Sequence, residues 1–96
     1  MQKILFSVQA STELEAAAFW YEEQSRGLGS EFIRSVDVAL AKISRTPMLY
    51  SIAFDDMRRC LLKKFPFGIF FSIERDHILI VSIFHSRRDP RKLREP

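Results

Sequence analysis

The residues with reactive side chains are few. Cys60 is the single thiol, and His77 and His85 are the two imidazoles. A metal site needs such ligands to converge. The two histidines stand at opposite ends of one apolar segment, ~26 Å apart at ~3.3 Å per strand residue, so they cannot share an ion and no metal is expected. A cysteine hydrolase would pair Cys60 with an imidazole and a third, orienting group. Nothing in the sequence supplies that group or a lowered thiol pKa, and a small buried hydrophobe is the simpler role for Cys60. Gly27-Leu28-Gly29 lacks the Lys-Ser/Thr of a phosphate loop and the longer glycine pattern of a dinucleotide site, so it reads as a turn. Glu13, Glu15, Glu22 and Glu23 are spaced along one helix, as helix electrostatics would have them, and are given no catalytic role. No cofactor is expected.

The basic residues say more. Arg58, Arg59, Lys63 and Lys64 flank one β-type segment, and Arg87, Arg88, Arg91, Lys92 and Arg94 follow the last one. Residues 1–56 carry five Lys/Arg against eight Asp/Glu, whereas residues 57–96 carry ten against four. The second half is therefore the basic end. A face of that kind attracts a polyanion, either nucleic acid or an acidic protein. A solvated sheet face or a strand edge blunted by charge would leave the same trace.

Local patterns predict the elements that position these groups. Ile4–Val8 reads as a strand. Thr12-Glu13-Leu14-Glu15 fits a capping box, and Leu14, Ala17, Ala18 and Tyr21 recur at helical spacing up to about Arg26. Gly27 then turns the chain, and Ser30 is the candidate cap of a second helix with Phe32, Val36, Ala39, Leu40 and Ile43 on one face. Thr46-Pro47 ends it. Residues 48–56 read as irregular, pinned by Tyr50 and Phe54. Met57–Lys64, Phe67–Glu74 and His77–His85 read as three strands joined by short hairpin links. The order is β-α-α-β-β-β. The fold class is α+β, a helical hairpin packed on a mostly antiparallel four-stranded sheet. Residues 86–96 form a basic tail.

With 96 residues, the chain reads as a single domain over 1–96. Its 47 % apolar content and nine Phe suit a packed core. One cysteine excludes an internal disulfide, which fits a cytoplasmic protein. No apolar run is long enough to span a membrane, and the N-terminus does not read as a signal peptide.

Several segments together resemble the RelE/ParE superfamily of toxins from type II toxin–antitoxin modules. They are Ala17-Ala18-Phe19-Trp20-Tyr21-Glu22-Glu23-Gln24, Gly27-Leu28-Gly29 with Phe32, Pro47 with Tyr50, Phe65-Pro66-Phe67-Gly68-Ile69-Phe70-Phe71, and His85-Ser86-Arg87-Arg88-Asp89-Pro90. The resemblance covers almost the whole chain and implies the same β-α-α-β-β-β fold. It also implies two candidate activities. RelE-like members cut mRNA on the ribosome, and ParE-like members poison DNA gyrase. Both are held in check by an antitoxin.

Where RelE-type enzymes place two basic residues in the first C-terminal strand, this chain has Arg59 and Leu61. Where they place an arginine in the middle strand it has Gly68. Their arginine after the last strand matches Arg87, and their tail tyrosine falls near Leu93. Cleavage through the 2′-OH needs a base, an acid and stabilisation of a charged phosphorane. Leucine and glycine supply none of these, and arginine stays protonated. The resemblance is thus closer to the ParE-like branch, an inhibitor acting by binding, with Arg58, Arg59, Arg87, Arg88 and Arg91 as target contacts. The alternative is a ribosome-dependent mRNA endonuclease using Arg59, Lys63, His85 and Arg87. A non-toxic member that still binds its antitoxin is a third reading. All three imply an antitoxin segment, acidic and apolar, lying in the groove beside the helical hairpin or against the sheet.

Overall fold

The computed structural model describes residues 2–87. Its elements run β1 (Ile4–Phe6), α1 (Val8–Gln24), α2 (Leu28–Arg45), a 3-10 turn (Pro47–Leu49), β2 (Ile52–Phe54), β3 (Met57–Leu61), β4 (Phe67–Ile73) and β5 (Ile78–His85). The α+β class and the helical hairpin on a mostly antiparallel sheet are as expected. The sheet has five strands rather than four, in the order β1-β5-β4-β3-β2. The additional strand is β2, inside the stretch expected to be irregular. Three residues are too few to show alternation. Its link to β3 turns through Asp55 at φ 53°, a left-handed conformation that Asp tolerates, in place of the usual glycine signal. Among the described residues only β1 and β5 pair in parallel.

Helix α1 starts earlier than the capping box suggested. Ser7 is its N-cap, its Oγ accepting the Ala10 N–H at 3.0 Å. The same Oγ donates to the Val81 carbonyl at 2.8 Å. Thr12 and Glu15 therefore lie inside the helix, and Glu13 turns toward the sheet. Gly27, at φ 87°, is the N-cap of α2 in place of Ser30. The Glu22 carboxylate fastens this turn, accepting from Gly27 N–H at 3.0 and 3.1 Å and from Gly29 N–H at 3.0 Å. The hairpin is tight at Gly29, where a Cβ would lie 2.6 Å from the Ala18 carbonyl oxygen.

The hairpin covers one face of the sheet. Phe32, Val36 and Ile43 of α2 pack with Ile69, Phe71, Ile78, Ile80 and Ile83, all of them at most 1 % exposed. Tyr21, Phe32, Phe65 and Phe67 form an aromatic cluster with mostly edge-on contacts. Tyr50 pins the following segment against Phe71 at 5.8 Å between ring centres, as its sequence position predicted. On the opposite face Phe70 and Phe84 meet edge-on and are also buried.

Candidate functional site

Backbone register gathers the basic groups. Leu62 N–H donates to the Phe67 carbonyl at 2.9 Å, Phe67 stands opposite His85, and Ser86 N–H donates to the Pro66 carbonyl at 2.7 Å. The β3–β4 turn and the end of β5 therefore share one end of the sheet. Lys63, Lys64 and Arg87 are exposed there. His85 is half-buried, its ring edge-on to Phe67 at 5.3 Å, and its Nδ1 accepts the Arg87 N–H at 3.2 Å. Arg88 and Arg91 lie outside the described residues, as does Leu93.

Arg58 and Arg59 are adjacent and point to opposite faces, as strand residues must. Arg58 is half-buried and its Nη1 donates to the Tyr50 carbonyl at 2.5 Å, so its guanidinium holds the approach to β2. This commitment sets it apart from the exposed residues with which it was grouped. Arg59 is exposed, and its stem lies over Gly68. A Cβ at residue 68 would come within 3.4 Å of Arg59 Cγ and Cδ and 3.3 Å of Leu61 Cδ2. Leu61 and Gly68 are direct cross-strand partners. Leu61 and Gly68 thus form one contiguous spot whose own side chains do not titrate, with the Arg59 stem beside it.

Other chemistry finds little support. Cys60 is buried, and burial pushes its thiol above the ordinary value, outweighing a Tyr50 hydrogen bond and the Lys42 charge, which pull it down. A thiol so placed is a poor nucleophile. Burial also raises the Tyr50 phenol. Asp76 is held below its ordinary range by the hydrogen bond and charge of neighbouring His77, at 2.7 Å, on an exposed turn. Among the described residues no three His, Cys, Asp or Glu side chains converge as metal ligands.

Beside the helical hairpin, where the resemblance places the antitoxin segment, there is a groove. It lies between α2 and the β3 side of the sheet, with a volume of ≈ 510 Å³. Val38, Ala39, Leu61 and Leu62 give it an apolar lining, and Arg34, Lys42, Lys63 and Lys64 give it positive charge, with Glu31 as its carboxylate. The exposed Val38 on an otherwise polar helix face was the one local signal. The rest is set by how two distant segments meet.

A family model described as the ParE toxin of type II toxin–antitoxin systems, parDE, matches residues 4–90. Among solved structures, one from the chromosomal ParDE toxin–antitoxin system of P. aeruginosa is similar in fold. The TM-score is 0.66 at 15 % sequence identity, over 88 % of this chain and 96 % of that one. No curated protein matches the chain.

Proposed function

The chain belongs to the ParE family of toxins from type II toxin–antitoxin systems, and from that premise we propose that it arrests growth by binding DNA gyrase through the basic end of its sheet. Lys63, Lys64, Arg59 and Arg87 are the contacts, with Arg88 and Arg91 continuing them in sequence. The observation that carries this reading over mRNA cleavage is the Leu61–Gly68 spot. Leu61 and Gly68 supply neither acid nor base there, and the neighbouring Arg59 stays protonated and cannot shuttle a proton. Binding through exposed arginine and lysine needs no tuned pKa, and Arg is suited to planar, bidentate partners such as carboxylate and phosphate. The cognate antitoxin restrains the toxin until it is lost. We place the protein in the cytoplasm, where both partners reside.

The test is purified gyrase with and without the toxin, read as DNA supercoiling and trapped cleavage complexes, beside pulse-labelling of DNA and protein synthesis after induction. The expected result is loss of supercoiling and an early fall in DNA synthesis. An early fall in protein synthesis with cut messages, and unaffected gyrase, replaces this reading with the endonuclease.

A further inference from the structure

We propose that His85 is a positioning residue for gyrase binding: its ring sets the direction in which the chain leaves β5, and so holds Arg87 beside Lys63 and Lys64. The proposal rests on the gyrase reading and specifies what aligns its contact surface.

His85 is the last residue of β5. Past it the strand ladder no longer dictates the backbone, but two further hydrogen bonds do. The first is Ser86 N–H donating to the Pro66 carbonyl at 2.7 Å. Pro66 is the middle residue of a three-residue turn, closed by Phe67 N–H donating to the Phe65 carbonyl at 2.8 Å. Proline's fixed φ suits such a turn, so the Pro66 carbonyl is a rigid acceptor shortly after Lys64. The second bond is Arg87 N–H donating to Nδ1 of His85 at 3.2 Å. A side chain that takes the N–H two residues on is the device by which Asn and Asp turn a chain. Here an imidazole does it.

The ring is itself held. It is half-buried and lies edge-on to Phe67, which packs in turn against Tyr21 and Phe32. The direction of the Arg87 amide is therefore tied to the aromatic cluster through one side chain. The Arg87 bond is exposed, where water would serve the same N–H, so it adds little to stability. What it fixes is the point from which a long cation starts. A preset backbone lowers the ordering cost of binding through that cation. The endonuclease alternative gave this ring a proton-transfer role. A positioning role needs only an acceptor at the right place, and asparagine supplies one without being able to shuttle a proton.

The experiment compares the full-length toxin with His85→Phe and His85→Asn. Phenylalanine keeps a ring against Phe67 and loses the acceptor. Asparagine keeps the acceptor and loses the ring. Inhibition of gyrase supercoiling, melting temperature and hydrogen exchange at the Arg87 amide are read for each. His85→Phe should melt within a few degrees of the natural chain, exchange at Arg87 about threefold faster or more, and inhibit about five- to tenfold more weakly. His85→Asn should melt lower through its lost ring contact, yet inhibit within about twofold of the natural chain at a temperature where it is folded. A merely structural role gives the reverse order, with inhibition following the melting temperature. Full inhibition by His85→Phe, or unchanged Arg87 exchange in it, overturns the proposal even if His85→Asn does not fold. Folded His85→Asn that is as weak as His85→Phe also overturns it. A natural toxin without effect on gyrase removes the gyrase reading and this role together, and that failure shows before any substitution is made.

Discussion

The two flanks of the sheet are built alike and finished differently. Each ends in a three-residue outer strand, β1 beside β5 and β2 beside β3. Each outer strand stops short, leaving main-chain groups of the inner strand pointing past its end. On the β5 flank the chain closes the gap itself. Ser7 takes the Val81 carbonyl, at the register shift where β5 gains a residue against β4. Glu13 Oε1 accepts from the Ser82 hydroxyl at 2.7 Å and from Ile83 N–H at 3.0 Å. On the β3 flank Leu62 N–H turns in to Phe67, so by alternation the corresponding amide, that of Leu61, faces outward beside a basic groove. One flank supplies its own carboxylate to a strand edge. The other presents cations and an open edge to something outside. The difference separates a part of the molecule that holds the fold from a part free to bind.

That contrast predicts where substitutions hurt. The largest loss should come from Ile80→Ala on β5. Its side chain is fully buried against the hairpin, and the deletion should cost about 2–5 kcal/mol through lost burial plus a cavity. Urea unfolding monitored by circular dichroism measures it, and a loss below 1 kcal/mol would mean this flank is not the structural one. Glu13→Ala comes next. It removes the acceptor for two groups at a buried strand edge and should cost about 1–3 kcal/mol. Hydrogen exchange at Ile83 should rise in that variant, whereas exchange at Leu61 should not.

These particulars also show what the sequence could reveal. Helix α2 was legible because Phe32, Val36, Ala39 and Ile43 form a stripe that the structure buries. Helix α1 was blurred. It buries only Ala10 and Ala17 and leaves Phe19 and Trp20 exposed, so its pattern gave a start five residues late. Thr12-Glu13-Leu14-Glu15 satisfied a capping pattern by residue type, yet Ser7 does the capping because β1 delivers the chain to the Val81 carbonyl. Glu13 was read as surface electrostatics, since no local signal tells a solvated carboxylate from one that reaches a strand 70 residues away. The basic end was legible as composition. The lining of the groove and the state of Arg58 were not, because both depend on which segments β2 and α2 approach.

Cys60 and Tyr50 give the β3 flank a different sensitivity. Burial raises the Cys60 thiol above its ordinary value of 9.0. The unfolded chain therefore loses its proton at a lower pH than the folded one does. The stability this contributes is complete below about 9 and falls as pH rises toward the folded-state value. Tyr50, raised above 10.0 mainly by burial, adds a loss of the same sign at higher pH. A series of urea midpoints from pH 7 to 10 should decline in the natural chain and decline less in Cys60→Ala, compared as slopes because that variant also loses packing. Equal slopes would remove the thiol from the account.

The smallest expected change in stability is the sharpest test of the contrast. Lys63→Ala with Lys64→Ala alters two exposed side chains in the turn after β3, and exposed charges of this kind contribute within about 0.5 kcal/mol. The melting temperature should hold. Inhibition of gyrase should weaken and its salt dependence should become shallower, because two charges that attract the partner are gone. A variant that melts early would show the lysines to be part of the scaffold, and the two flanks would then share one role. A variant that keeps both its stability and its inhibition would move the target contact toward Arg59 and Arg87, across the Leu61–Gly68 spot and away from the groove. The toxin's target and its antitoxin would in that case occupy separate faces of the same open flank, and the antitoxin would have to act by holding the sheet rather than by covering the contact.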